Sequence, residues 1–121
     1  MSGHSIMVID DENIVGKMIK ATFQKDGYEV ETFLHAKPAF ERLKEKTFDV
    51  VITDLKMKNI DGMEVLKTIK KEFPKTKVIM ITAFASMDTS IEAFRKNADD
   101  FFAKPIKITE LKDSVNRLLS E

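Results

Sequence analysis

Short apolar runs, each closed by a polar side chain, alternate along this chain with longer segments of helical period. Ile6-Met7-Val8-Ile9 leads to Asp10 and Asp11, Val50-Val51-Ile52-Thr53 to Asp54, Val78-Ile79-Met80-Ile81 to Thr82, and Phe101-Phe102-Ala103 to Lys104. Unbroken apolar runs of this length suit strands covered on both faces, the condition of a parallel sheet whose crossover helices pack on either side. Parallel strands point one way, so their polar ends share one edge. Ligand sites of such sheets lie beyond that edge, where the strand order reverses.

The intervening segments fill in the helices. The first is expected from Glu12 to Lys25, with Ile14, Val15, Met18, Ile19 and Phe23 as its apolar stripe and Asp26-Gly27 as its stop. Tyr28 to Phe33 reads as a strand, and Pro38 suits the first turn of a second helix. After a strand from Asp49 to Thr53 and a loop from Lys56 to Asp61, Gly62 opens a third helix with Met63, Leu66, Ile69 and Phe73 inward. Lys77 to Thr82 is the fourth strand. A fourth helix places Ile91 and Phe94 one turn apart, Asn97 suits a left-handed cap, and Asp100 to Ala103 is the fifth strand. The last helix is expected to bury Ile108, Leu111, Val115 and Leu118. With 121 residues and no linker or repeat, the chain reads as one doubly wound (βα)5 domain over residues 1–121, with no effector domain in it.

Composition removes several classes of function. Lys plus Arg equals Asp plus Glu at 20 each, so no net field recruits nucleic acid, and no direct nucleic-acid binding is expected. The absence of cysteine excludes disulfides, thiolate metal sites and cysteine nucleophiles. His4 and His35 read as solvated histidines. The longest apolar stretch, Val78 to Ala85, is far short of the roughly 20 residues of a membrane helix, and Met1 to Ser5 carries no signal core. A soluble, cytoplasmic domain without membrane insertion is expected.

The shared edge brings the chemistry. Asp10 and Asp11 alone could merely complement a helix dipole. With Asp54 they make three carboxylates that repel one another unless a cation compensates them. Magnesium suits that all-oxygen donor set, and neither histidine nor cysteine stands nearby to favour zinc. Asp54 then suits covalent nucleophilic attack on phosphorus, with Lys104 as a mobile positive charge and Thr82 as a hydroxyl donor for the transferring group.

In order and spacing, Val8-Ile9-Asp10-Asp11-Glu12, Thr53-Asp54-Leu55-Lys56-Met57 with Asp61-Gly62, Ile81-Thr82-Ala83 and Ala98-Asp99-Asp100-Phe101-Phe102-Ala103-Lys104-Pro105 form one pattern. Over essentially its whole length the chain resembles the receiver domain of two-component response regulators. The resemblance implies a flavodoxin-like sheet of order 2-1-3-4-5. It implies that Asp54 is the phosphorylation site, taking a phosphoryl group from a phosphohistidine on a sensor histidine kinase or phosphotransfer protein. It also implies that Asp11, Asp54 and the Lys56 carbonyl bind magnesium directly while Asp10 acts through water, and that Thr82 and Lys104 hold the phosphoryl oxygens. A cis Lys104-Pro105 peptide is expected. Thr82 and Phe101 are the expected switch residues, coupling phosphorylation to the surface of the fourth helix, fifth strand and fifth helix and so to a downstream effector. Such a module, monomeric or dimerising on phosphorylation, catalyses its own phosphorylation and dephosphorylation without being a conventional turnover enzyme.

Departures and alternatives sharpen the reading. Met57-Lys58 stands where many receivers have Met-Pro, so a more mobile loop is expected there. Lys56 and Phe84, two residues beyond Asp54 and Thr82, flank the expected path of attacking water. Ser114 and Asn116 replace the basic residue that pairs across one family dimer, which argues against that dimer. The stretch from Thr82 to Lys104 is similar to receivers attached to ATP-driven transcriptional activators. A magnesium-dependent aspartyl-phosphate phosphatase needs an Asp two residues beyond its nucleophile, where Lys56 stands. A flavin carrier needs a glycine- and hydroxyl-rich loop where Asp10-Asp11-Glu12-Asn13 stands.

Overall fold

The computed structural model describes residues 4–57, 61–84 and 86–120. Five strands alternate with five helices: β1 (Ser5–Ile9), α1 (Asn13–Gln24), β2 (Glu29–Phe33), α2 (Ala36–Glu45), β3 (Val50–Asp54), α3 (Gly62–Glu72), β4 (Lys77–Thr82), α4 (Met87–Arg95), β5 (Asp100–Ala103) and α5 (Ile108–Leu119). All pairings are parallel, in the order β2-β1-β3-β4-β5. The expected doubly wound topology is therefore present, with its reversal between β1 and β3.

Side-chain alternation along each strand sorts the core into two layers. Met7, Ile9, Val51, Val78 and Met80 pack with Leu43 of α2, Leu66 and Ile69 of α3, and Ala93 of α4. Ile6, Val8, Ile52, Ile79 and Ile81 turn to the other face and meet Ile19 and Phe23 of α1 and Leu111, Val115 and Leu118 of α5. Strands β1 and β3 are buried throughout, which is why their sequences are continuous apolar runs.

Several expected helix faces turn out differently. Ile14 and Met18 of α1 are 79% and 37% exposed. Gly16 lies against Thr32 of β2, and this close approach points the line of Gly16, Ile19 and Phe23 at the sheet, leaving Ile14 and Met18 outside it. In α4 the buried residue is Ala93, while Ile91 and Phe94 face outward. Ile108 and Phe73, the first residue and the C-cap of their helices, are half-buried. Asn97 has φ 71° and the Lys104-Pro105 peptide is cis, both as expected. The expectation of a mobile loop at Met57-Lys58 falls partly outside the described residues.

Candidate functional site

Register brings the polar ends together. Ile9 pairs with Thr53, so Asp10 and Asp54 each follow a matched pair on adjacent strands. Asp54 is opposite Ile81, and Thr82 is opposite Ala103, which places Thr82 and Lys104 at the same edge. Backbone bonds continue one residue past the strands: Leu55 N–H donates to the Ile81 carbonyl at 2.8 Å, and Lys104 N–H to the Thr82 carbonyl at 2.8 Å. Gly62 closes the other side, its N–H donating to the Leu55 carbonyl at 2.7 Å. A Cβ at that position would lie 2.4 Å from the Asp54 carbonyl oxygen, so a side chain is excluded there.

The edge holds one tight ionic cluster. Lys104 Nζ stands 2.6 Å from Glu12 Oε1, 2.9 Å from Asp10 Oδ2 and 3.1 Å from Asp54 Oδ2. One carboxylate oxygen from each of Asp10, Glu12 and Asp54 lies within 4.8 Å of the other two. The other Asp54 oxygen, Oδ1, accepts the Lys56 N–H at 3.1 Å, and Asp10 Oδ1 accepts the Glu12 N–H at 2.8 Å. Asp10 Oδ2 is buried and receives no hydrogen bond, so Lys104 meets it as a charge contact. Burial pushes the Asp10 carboxyl pKa up and the neighbouring Asp54 adds to this, against the Glu12 N–H and Lys104, which pull it down. Burial alone would lower the Lys104 pKa, but Glu12, Asp10 and Asp54 outweigh it and hold the ammonium above the ordinary lysine value.

Three carboxylates against one ammonium leave two formal negative charges, and the unsatisfied Asp10 Oδ2 points into the group. This donor set fits a hard divalent cation, with carboxylate oxygens and room for waters. Beside it a cleft of about 320 Å³ is lined by Asp11, Glu12, Asp54, Lys56, Ala83, Phe84 and Lys104. Asp54 is 4% exposed at the floor, whereas Phe84 is 68% exposed at the rim. The Thr82 hydroxyl, fully buried, accepts the Phe84 N–H at 3.0 Å. Phe101 is half-buried against the layer containing α2, α3 and α4.

Of the sequence-predicted residues, Asp10, Asp11, Asp54, Lys56 and Lys104 come together around the cluster and its cleft, with Glu12 added, while Thr82 is buried at the same edge and Phe101 packs on a core layer. Among the described residues the converging carboxylates are Asp10, Glu12 and Asp54, and Asp11 lines the cleft beside them. Glu12 lies two residues beyond Asp10 in the loop between β1 and α1, where no apolar periodicity marks the direction of a side chain.

A doubly wound sheet of order 2-1-3-4-5, with an acidic cluster and a lysine beyond its reversal point, defines an α/β domain of the flavodoxin-like class. The family model of the response regulator receiver domain matches residues 6–116, and the chain belongs to that family. It is 34% identical to the transcriptional regulatory protein ZraR of Klebsiella oxytoca over 99% of this chain and 28% of that protein. The chain spans about a quarter of the length of the curated relatives it matches. A CheY-like receiver domain protein from Methanospirillum hungatei JF-1 superposes with a TM-score of 0.92 at 26% identity, covering 97% of this chain and 94% of that one. The beryllofluoride-activated NtrC4 receiver domain dimer gives a TM-score of 0.90 at 29% identity over 94% of each chain. Among the described residues no helix is long and apolar enough to cross a membrane.

Proposed function

We propose that residues 1–121 form the receiver unit of a two-component phosphorelay, with Asp54 as its phosphoacceptor. The observation that carries this reading is Asp54 at the floor of the cleft, one oxygen 3.1 Å from Lys104 Nζ and the other accepting the Lys56 N–H. A carboxylate oxygen of Asp54 attacks the phosphorus of a kinase phosphohistidine. The new P–O bond forms as the P–N bond breaks, and its electron pair returns to the imidazole. Magnesium held by Asp11, Asp54 and the Lys56 carbonyl, with Asp10 acting through water, would supply positive charge against the transferring group. Lys104 and Thr82 hold the phosphoryl oxygens, and water returns Asp54 to the free carboxylate.

The route outward runs through Thr82. Its hydroxyl is tied to the Phe84 N–H, and α4 is capped at Ser86, four residues along. A Thr82 hydroxyl drawn to a phosphoryl group releases that N–H at the base of α4, and Phe101 turns inward beside it. The α4-β5-α5 surface, with Met87, Ile91 and Phe94 exposed, changes accordingly and controls a downstream effector. The activated NtrC4 dimer supports phosphorylation-dependent self-association, and the balanced charge supports action through protein partners without direct DNA contact. The setting is cytoplasmic.

Incubation with acetyl phosphate and magnesium, read by intact mass, tests this function. One phosphoryl addition is expected, absent in Asp54→Asn and when magnesium is chelated. Unchanged labelling of Asp54→Asn, or multiple turnover on small phosphate esters, would overturn it.

A further inference from the structure

We infer that Glu12 is a positioning residue that holds Lys104 inside the acidic cluster, so that the ammonium and a divalent cation compete for the same carboxylates. The inference rests on the cation-dependent reading of this site given above, and extends it to a residue outside the expected ligand and phosphate-holding set. Three observations carry it. The shortest contact of Lys104 Nζ is with Glu12 Oε1 at 2.6 Å, closer than Asp10 or Asp54. The lysine side chain is 11% exposed while that of Glu12 is 61% exposed, so an outer carboxylate leans over an inner ammonium. The ammonium stands beside Asp10 Oδ2, a buried oxygen of the cluster that receives no hydrogen bond.

These positions set two cations against each other. A divalent ion held by oxygens of Asp10, Glu12 and Asp54 would face a unit positive charge about 3 Å from oxygens of those same three carboxylates. Its binding therefore favours movement of Lys104 away from the carboxylates, and Glu12 resists that movement. Glu12 acts in two opposed ways: its charge attracts the incoming ion, and its contact with Lys104 keeps the competitor in place. The second action exists only when position 104 carries an ammonium.

A double-mutant cycle on metal affinity separates the two. Magnesium and manganese dissociation constants are measured by calorimetry and by manganese paramagnetic resonance for the wild type, Glu12→Gln, Lys104→Met and the double variant, without any phosphate donor. Lys104→Met is expected to tighten binding about tenfold, the effect of removing one adjacent unit charge in a partly solvated site. Glu12→Gln is expected to weaken binding in the Lys104→Met background and to weaken it several-fold less, or tighten it, in the wild-type background. Far-UV dichroism confirms folding of each protein, and Lys104→Gln replaces Lys104→Met if the latter does not fold. Equal Glu12→Gln effects in both backgrounds would overturn the tether, as would unchanged metal affinity in the lysine variant or no metal binding in any of the four. Intact metal competition with no phosphoryl transfer would instead refute only the phosphoacceptor reading.

Discussion

Gly62→Ala is the most severe small substitution available next to the site, and its cost follows from three distances. The added Cβ would lie 2.4 Å from the Asp54 carbonyl oxygen, 2.5 Å from Leu55 Cα and 2.8 Å from the Leu55 carbonyl oxygen. Against an ordinary contact of 3.4 Å the shortfalls are about 1.0, 0.9 and 0.6 Å. All three atoms are backbone, fixed by the β3–β4 ladder and by the Leu55 N–H bond to Ile81, so no side chain can swing aside. The start of α3 must move instead, stretching the 2.7 Å bond from Gly62 N–H to the Leu55 carbonyl. Overpacking of about 1–3 kcal/mol and a weakened hydrogen bond of about 1 kcal/mol give a destabilisation of roughly 2–4 kcal/mol. For a domain of this size that is a drop in Tm of about 10 °C. Urea unfolding should show a lower midpoint at unchanged slope. Gly16→Ala is the control. There the Cβ meets Thr32 side-chain carbons at 3.4 Å within α1, so helix propensity dominates and the change should be neutral or stabilising by up to about 1 kcal/mol. Near-wild-type stability of Gly62→Ala, or equal losses at both sites, would refute the argument.

Phe84→Ala tests water access to the proposed acyl phosphate. Phe84 lines the cleft beside Asp54, so its removal should shorten the phosphoryl lifetime several-fold in a phosphate-release assay, and an equal or longer lifetime in the variant would count against shielding. At the β2 edge of the sheet, two Arg42 hydrogen bonds at 2.8 and 3.0 Å hold the Glu31 carboxyl below its ordinary pKa, with burial opposing and Lys46 assisting. Because the folded pKa is the lower one, this stabilisation is present above the unfolded value of 4.5 and disappears as pH falls through the folded value. The stability difference between wild type and Glu31→Gln should therefore shrink below about pH 4.5, and a constant difference would contradict the pairing.

What the sequence disclosed, it disclosed through burial. Strands covered on both faces have to be apolar along their whole length, so β1, β3 and β4 announced themselves and their closing residues marked the functional edge. Asp10 and Asp54 were legible for that reason, and Lys104 because it closes the short Phe101-Phe102-Ala103 run of the half-buried β5. Glu12 was harder, because it belongs to a turn whose backbone direction no periodicity reports. The outward turn of Ile14 and Met18 was hidden because their spacing equals that of a buried stripe. Tertiary packing, Gly16 close to Thr32 and Ile19 and Phe23 in the core, sets which side of α1 faces the sheet. In α4 the one buried residue is Ala93, too small to signal a core face. The cap of that helix, Ser86 with Thr89, replaces the usual acidic partner of a capping box by a hydroxyl and so carried no obvious sequence mark.

The choice of lysine at position 104 follows from the same geometry. Its ammonium meets three carboxylates, two from the loop between β1 and α1 and one from the end of β3, at 2.6, 2.9 and 3.1 Å, from the end of a four-residue strand. A guanidinium would favour a planar, two-bond match with one carboxylate and present its remaining donors in fixed directions. A compact charge on a four-carbon stem can instead exchange partners one contact at a time, with three donors that rotate freely. Such exchange is what the site demands if charge first balances carboxylates and then meets a phosphoryl group on one of them. Lys104→Arg would preserve the charge while removing that freedom, which separates the need for a cation from the need for a mobile one.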